Sequence, residues 1–224
     1  MRPDVEIAIL PSLGSTGGIR AVAQGAIGVG LSARPLSAEE RGLPVIAMPY
    51  ARTPFVFASS RGEPAPMLST RQIADMYRGN PVTWPDGSPV RVILRPGNDA
   101  SVDALRAVGP AMAEALAIAA SRKGLKLAPS DQDNAVALEN LAGSLGGITL
   151  AQLLSEQRKL TVIRLDGLEP SAKALSEGRY PHAMTLYLVT GASPSPLPRE
   201  FIAFVRSPRG ADILRKYGQL PVPG

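Results

Sequence analysis

The chain has 224 residues, of which 45% are hydrophobic, and a formal net charge of +5 with no cysteine. This length and composition predict a globular protein with a substantial core, in one large domain or two small ones. The absence of cysteine excludes disulfides, zinc-thiolate sites and cysteine nucleophiles.

No apolar run approaches the roughly 18 residues of a membrane span. Residues 1–7 lack the apolar centre of an export signal, so we expect a soluble chain with no leader. The basic residues are scattered and only 4% of residues are aromatic, which argues against a nucleic-acid surface.

Short strand-like runs alternate with helical patterns along the chain. The predicted strands are 5–10, 27–31, 45–48, 54–58, 90–94, 147–149, 161–165 and 184–190. The predicted helices are 17–24, 70–77, 101–123 with a break at Pro110, 132–141, 150–157, 171–176 and 199–217 with a break at Pro208. This alternation is typical of an α/β fold with largely parallel sheets.

The loop Gly14-Ser-Thr-Gly-Gly18 lies between the first predicted strand and the first predicted helix. Helix N-termini carry unpaired N–H groups and the positive end of the macrodipole, so they favour anions. Ser15 or Thr16 either caps the helix or donates to a ligand, and the glycines allow close backbone approach. A tight turn without a ligand stays open as the alternative.

Two further strand ends carry cations and hydroxyls. Ser32 and Arg34 follow the second run, and Arg95, Asp99 and Ser101 follow the run 90–94. Ligands of open α/β sheets sit beyond the carboxyl ends of strands, and arginine donates two bonds to one oxyanion. The three strand ends predict one anion site, unless both arginines form ordinary surface salt bridges.

Several segments occur in the order and spacing of a known family. They are LGSTGGIRAVAQGAIGVGLSARPLSAEE, LSTRQIADMYRGNPVTWPDG, RVILRPGNDAS, GSLGGITLAQL, RYPHAMTLYLV and FIAFVRSPRGADILRKYGQLPV. Through them the chain resembles the phosphate-binding proteins, the extracytoplasmic receptors of phosphate ABC transporters. That family belongs to the type II periplasmic binding-protein superfamily.

The resemblance implies two α/β lobes joined by hinge strands, with a ligand cleft between them. It places residues 1–55 and 186–224 in lobe I and 56–185 in lobe II, with crossings near 53–58 and 184–190. It implies a periplasmic or extracytoplasmic monomer that binds phosphate or a related tetrahedral oxyanion without catalysis or cofactor. Closure of the lobes would present the liganded shape to a permease.

The resemblance also assigns roles to single residues. Ser15 matches the family's hydroxyl donor, with the backbone of Thr16 and Gly17 beside it. Arg95 matches the arginine that pairs with the anion, and Ser101 matches a donating threonine.

The chain departs from the family pattern in three places. The family's first strand and helix have no counterpart, Ala33 stands where some members have aspartate, and Asp99 replaces a serine. Asp99 either accepts a proton from a protonated oxyanion or caps the following helix.

Other functions remain as alternatives. The same fold serves as a ligand-sensing module that takes no part in transport. A hydrolase is a second alternative, because the chain order of an α/β-hydrolase triad is followed by Ser144, Asp166 and His182, although the first glycine of the nucleophile elbow is missing.

Trp84 is expected to pack beside a turn at residues 85–87, and no metal-ligand spacing is present. The apolar spacing of 199–217 predicts a core face formed by Phe201, Ile202, Phe204, Val205, Ile213 and Leu214.

Overall fold

A computed structural model describes residues 4–62, 65–80, 83–84 and 86–222. Its helices are α1 Gly14–Ala23, α2 Thr70–Arg78, α3 Ala100–Arg106, α4 Pro110–Ser121, α5 Asp131–Asn140, α6 Leu150–Ser155, α7 Ala172–Ser176, α8 Pro196–Arg206 and α9 Pro208–Lys216. Its strands are β1 Gly30–Ser32, β2 Val45–Ser59, β3 Met67–Leu68, β4 Arg91–Leu94, β5 Lys126–Leu127, β6 Ser144–Thr149, β7 Thr161–Val162, β8 Arg164–Leu165, β9 Ala183–Gly191 and β10 Leu220–Pro221.

The main sheet has the order β1-β9-β2-β6-β4-β5, with β7 and β10 also paired to β2. The α/β prediction is confirmed, but the prediction of largely parallel sheets is wrong. β4 runs parallel to β5 and β6, and β3 runs parallel to β8, while β1, β2, β6, β7, β9 and β10 meet their other partners antiparallel. Apolar runs reveal burial but not direction, because both faces of either kind of strand can be covered.

The long strand β2 joins two halves of the molecule. It pairs with β9 from Val45 to Pro54 and then with β6 from Phe55 onwards, with an irregular register at Pro49 to Ala51. The sequence suggested two separate strands here, 45–48 and 54–58. The first lobe, as we call it, consists of β1, β9, β10 and residues 45–54 of β2, with the helices α1, α8 and α9. The second lobe consists of β4 to β7 and residues 55–59 of β2, with the helices α2 to α7. The division at residues 55 and 185 stays a prediction.

Two buried hydroxyls fix the point where β2 changes partner. The Thr53 hydroxyl donates to the Gly218 carbonyl (3.2 Å) and accepts from the Ala151 N–H (3.1 Å), which links strand, C-terminal segment and α6. The Tyr180 hydroxyl donates to the Phe55 carbonyl at 2.8 Å. Desolvation raises the pKa of Tyr180, so this phenol stays a donor.

The apolar core lies mostly in the second lobe. One cluster there surrounds Trp84, Tyr77 and Phe57, and a second lies beneath α5 and α7. The first-lobe cluster of described residues consists of Ile19, Val22, Val45 and Val189, with partly buried neighbours.

The predicted core face on the C-terminal helices is wrong, because its residues are less buried than core residues are. Of the six predicted positions none is buried, and Phe204 and Ile213 are 44% and 43% exposed. Helical periodicity shows that a helix has an apolar side, but it does not show how much of the fold covers that side. The predicted breaks are confirmed, since Pro110 and Pro208 are the first residues of α4 and α9, where a missing N–H costs nothing.

The predicted strand 5–10 is also wrong. Residues 5–13 form no strand, and Ile9 is 92% exposed. Alternating apolar residues become a strand only where a neighbour supplies ladder hydrogen bonds. No described strand pairs with this segment.

The Thr53→Val variant should lower the free energy of unfolding by about 2 kcal/mol, because it leaves a buried N–H and a buried carbonyl without that partner. Urea denaturation measures the loss. Thr185→Val, on the neighbouring strand β9 at a half-buried position, is the control and should change stability by less than about 1 kcal/mol. Equal losses in the two variants would contradict the role given to Thr53.

Candidate functional site

The glycine-rich loop forms the beginning of α1 rather than a loop before it. The helix starts at Gly14, so Ser15 and Thr16 lie in its first turn and do not cap it, as the sequence had allowed. The residue before the helix, Leu13, makes no side-chain cap. At Gly17 an added Cβ would lie 2.8 Å from the Leu13 Cβ, so only glycine fits without a shift.

The two hydroxyls of this turn both accept hydrogen bonds from the segment after β1. Ser15 Oγ accepts from the Ala33 N–H at 3.1 Å, and Thr16 Oγ1 accepts from Arg34 Nη2 at 2.7 Å. A hydroxyl has one proton of its own to donate. Among the hydrogen bonds of the described residues neither hydroxyl donates its proton, so the first turn offers two O–H donors together with the N–H groups of Ser15 and Thr16.

Arg34 is committed to a carboxylate of its own lobe. Its Nη1 lies 2.6 Å from Glu40 Oε2 and its Nη2 lies 2.8 Å from Oε1, a two-pronged pair. The Arg34 guanidinium holds the pKa of Glu40 down at about 2, with a further bond from the Ser37 N–H. Ser32 is buried and its hydroxyl donates to the Arg34 carbonyl at 2.7 Å. Arg34 therefore orients Thr16 in this structure.

Arg95, at the end of β4, occupies a buried pocket in the second lobe. Its side chain is 3% exposed, and Nη2 donates to Asp99 Oδ2 (2.6 Å) and Asp131 Oδ1 (2.9 Å). Its Nη1 donates to the Ala128 carbonyl at 2.9 Å. Its Nε is buried without a hydrogen-bond partner. The sequence allowed Arg95 to be a surface residue, but it is buried, donates to two carboxylates and one carbonyl, and leaves its Nε–H unpaired.

Asp99 is the N-cap of α3. Its Oδ1 accepts from the Ser101 N–H (2.8 Å) and from the Ser101 hydroxyl (2.5 Å), while Oδ2 faces Arg95. Of the two roles the sequence left open, the structure shows the cap. The same carboxylate fixes the Ser101 side chain and the Arg95 guanidinium.

The segment after β1 lies near α3 of the second lobe. Ala33 packs against the second-lobe cluster that contains Leu105 of α3. The pKa of Arg34 is raised by the bond to Glu40 first and, more weakly, by the charge of Asp103 on α3. The segment carrying Arg34 therefore faces the helix that carries Ser101.

Sequence reasoning missed Asp131. It stands at the first position of α5, after the Ser130 cap, and the only signal was a Ser-Asp pair typical of any helix start. Its place beside Arg95 depends on β5 and the following turn, which bring residue 131 back to the end of β4.

The hydrolase triad does not assemble among the described residues. Ser144 is fully buried, and its hydroxyl donates to the Leu138 carbonyl at 2.6 Å. Asp166 accepts from the N–H and hydroxyl of Thr70, and the His182 ring packs edge-on against Tyr180 at 5.6 Å. Burial lowers the pKa of His182, although the charge of Asp166 opposes the shift.

Three other expectations from the sequence concern Trp84, metal binding and membrane-spanning helices. Trp84 is 1% exposed and donates to the Gly143 carbonyl at 3.1 Å, so it packs as expected, while part of the turn 85–87 lies outside the described residues. In the described part of the chain no group of histidine and carboxylate residues is arranged to hold a metal. None of the described helices has the length and apolarity needed to cross a bilayer.

A family model described as "PBP superfamily domain" matches residues 2–209. A putative phosphate ABC transporter substrate-binding protein from Clostridium perfringens, solved with bound phosphate, superposes with TM-score 0.77 at 20% identity, over 94% of this chain and 85% of that chain. An ABC-type phosphate transport receptor from Vibrio cholerae gives TM-score 0.61 at 15% identity, over 97% and 89%.

A phosphate-binding protein from Stenotrophomonas maltophilia gives TM-score 0.70 at 15% identity, over 93% of this chain and 82% of that chain. No curated protein matches the chain in sequence. These likenesses establish the two-lobed α/β fold of the type II periplasmic binding proteins.

The Glu40→Gln variant should lose about 2 kcal/mol of unfolding free energy at neutral pH, because Arg34 keeps its charge and loses its charged partner. Folding lowers the pKa of Glu40 from 4.5 to about 2. The contribution of the ionised pair is therefore full above pH 4.5 and disappears as the pH falls through about 2.

Urea denaturation of wild type and variant from about pH 7 to about pH 2 checks this expectation. The exposed neighbour Glu39→Gln is the control and should follow the wild type. A gap between Glu40→Gln and wild type that is the same at both ends of the pH range would refute it.

Proposed function

The chain belongs to the PBP superfamily of periplasmic binding proteins, and from this premise we propose that it binds phosphate or a related tetrahedral oxyanion between its lobes. In this proposal it is the solute-binding protein of an ABC transporter. The lobes comprise residues 1–55 with 186–224 and residues 56–185, and they close around the ligand as one monomer.

The observation that carries the proposal is the donor set at the start of α1. Ser15 and Thr16 accept N–H bonds from residues 33 and 34, which leaves each hydroxyl proton directed elsewhere. The N–H groups of Ser15 and Thr16 in the first turn add backbone donors at the positive end of the helix. Gly17, which the resemblance placed beside them, is the fourth residue of the helix, so its N–H belongs to the intrahelical hydrogen bonds. A tetrahedral oxyanion has several acceptor oxygens and fits a site that consists of donors.

The second wall of the proposed site is Arg95. The Ser101 hydroxyl, which the resemblance made a ligand donor, gives its one proton to Asp99 and so supports this wall rather than donating to the ligand. Arg95 is the buried cation of this region, and its Nε still has a bond to give. A charge-assisted bond from a buried guanidinium is stronger than one made in water. Asp99 holds both side chains in place, whereas Ser32 and Arg34 support the first wall through the backbone and Thr16.

The solved relatives support transport rather than catalysis. Two of them are described as components of phosphate transport, and the Clostridium perfringens protein was solved with bound phosphate. By analogy, this protein would deliver its ligand to a permease on the extracytoplasmic side of a membrane. The buried, backbone-bonded Ser144 provides no nucleophile, which agrees with a binding role.

Isothermal titration calorimetry with phosphate, sulfate and tungstate tests the binding proposal. We expect heat of binding from at least one tetrahedral oxyanion. Wild-type protein that is folded and gives no heat with any of them would overturn the proposal.

Each of Ser15→Ala and Arg95→Ala should weaken binding by about tenfold or more, since each removes a hydrogen bond to a charged ligand. Ser193→Ala, an exposed hydroxyl in the loop before α8, is the matched control and should bind as wild type does. Unchanged affinity in both site variants would place the ligand elsewhere.

A further inference from the structure

The negative charge of the carboxylates around Arg95 exceeds the positive charge of its guanidinium. One guanidinium nitrogen, Nη2, serves two carboxylates, Asp99 at 2.6 Å and Asp131 at 2.9 Å. A single cation between two anions leaves a net charge of −1, which opposes the arrival of another anion. An oxyanion that takes the place of one of these carboxylates at Arg95 avoids this repulsion.

The two carboxylates differ in how firmly they are held. Asp99 is 16% exposed and also accepts two bonds from Ser101 as the cap of α3. The Asp131 side chain is 50% exposed, and among the described residues Arg95 is the hydrogen-bond donor to its carboxylate. Water can solvate Asp131 as soon as it turns away, so its release costs less than that of Asp99.

We propose that Asp131 is a displaceable internal counter-ion, which occupies Arg95 in the absence of ligand and competes with the oxyanion for it. This inference rests on the proposed function of the same site. It makes Asp131 a residue that sets affinity without touching the ligand. Removing its charge should strengthen binding, which is the opposite of what a supporting residue would do.

The unused nitrogen of Arg95 points to the same exchange. Nε is buried and has no partner, and a buried unpaired donor is costly. Nε and Nη2 lie on one edge of the guanidinium plane, the edge that gives two parallel bonds to a single oxyanion. A ligand that replaces Asp131 at Nη2 can satisfy Nε as well, whereas Asp131 leaves Nε unpaired.

The surroundings of Asp131 already disfavour its charge. Partial burial raises its pKa, and the charges of Asp99 and Glu156 act in the same direction, while Arg95 opposes them. On the other side, Gln152 donates to the Asp131 carbonyl and to Glu156. As pH falls, Asp131 should lose its negative charge before an ordinary aspartate does, which frees Arg95 for the ligand.

Asp131→Asn tests the inference, because it keeps the shape and removes the charge. With inorganic phosphate in calorimetry we expect binding about tenfold tighter than wild type near pH 7. Asp133→Asn is the matched control, since it removes one charge from the same turn of α5 without facing Arg95, and its affinity should stay within about twofold. Thermal unfolding of each variant establishes that it is folded, and Asp131→Ala should shift affinity in the same direction.

The pH dependence gives a second readout. The ratio of wild-type to Asp131→Asn dissociation constants cancels the titration of phosphate itself, and it should fall towards one as the pH is lowered. A ratio that does not change with pH would overturn the inference.

The outcomes separate the inference from the function on which it rests. If wild type binds phosphate and Asp131→Asn binds equally or more weakly, the competition is refuted and the binding function stands. If wild type binds phosphate and Asp131→Asn binds it about tenfold more tightly, the competition is supported. If neither binds any oxyanion, the proposed function fails and the inference fails with it.

Discussion

The structure depends on a single strand that changes partner. β2 is hydrogen-bonded to β9 up to Pro54 and to β6 from Phe55, so the two lobes share one continuous backbone at their junction. The buried hydroxyls of Thr53 and Tyr180 hold this point by bonds that reach α6, the C-terminal segment and β2 itself. The irregular register at Pro49 to Ala51 is confined to the first-lobe side.

Carboxylates have opposite effects in the two walls of the proposed site. In the first lobe Glu40 neutralises Arg34, and the arginine then orients the Thr16 hydroxyl so that its proton is free for a ligand. In the second lobe Asp99 positions Arg95 and Ser101, while Asp131 adds a charge that the arginine does not require. In the proposed site the first wall would therefore act through neutral donors and backbone, and the second through one cation.

The sequence predicted local structure better than it predicted contacts between segments that are distant in the chain. The helix starts at Pro110 and Pro208 followed from chemistry within a few residues, and so did the capping role that was one of two options for Asp99. The strand 5–10 and the core face on α8 and α9 failed because each needed a partner layer, which periodicity does not reveal. The grouping of Ser15 and Thr16 with the segment after β1 was anticipated, whereas the commitment of Arg34 to Glu40 depended on a side-chain geometry that spacing cannot supply. Asp131 was missed because its contact with Arg95 spans 36 residues.

The unequal apolar cores of the two lobes affect where a bound ligand would raise protection from hydrogen exchange. The first lobe rests on the cluster of Ile19, Val22, Val45 and Val189, and its C-terminal helices are partly exposed. Free energies of local opening follow buried apolar contact, so amide hydrogens of α1, α8 and α9 should exchange with solvent sooner than those of α2 and α4. Ligand that binds only the folded site raises the free energy of every opening that breaks the site. The start of α1 lies in the weaker lobe, so the protection gained from a bound solute would be concentrated there.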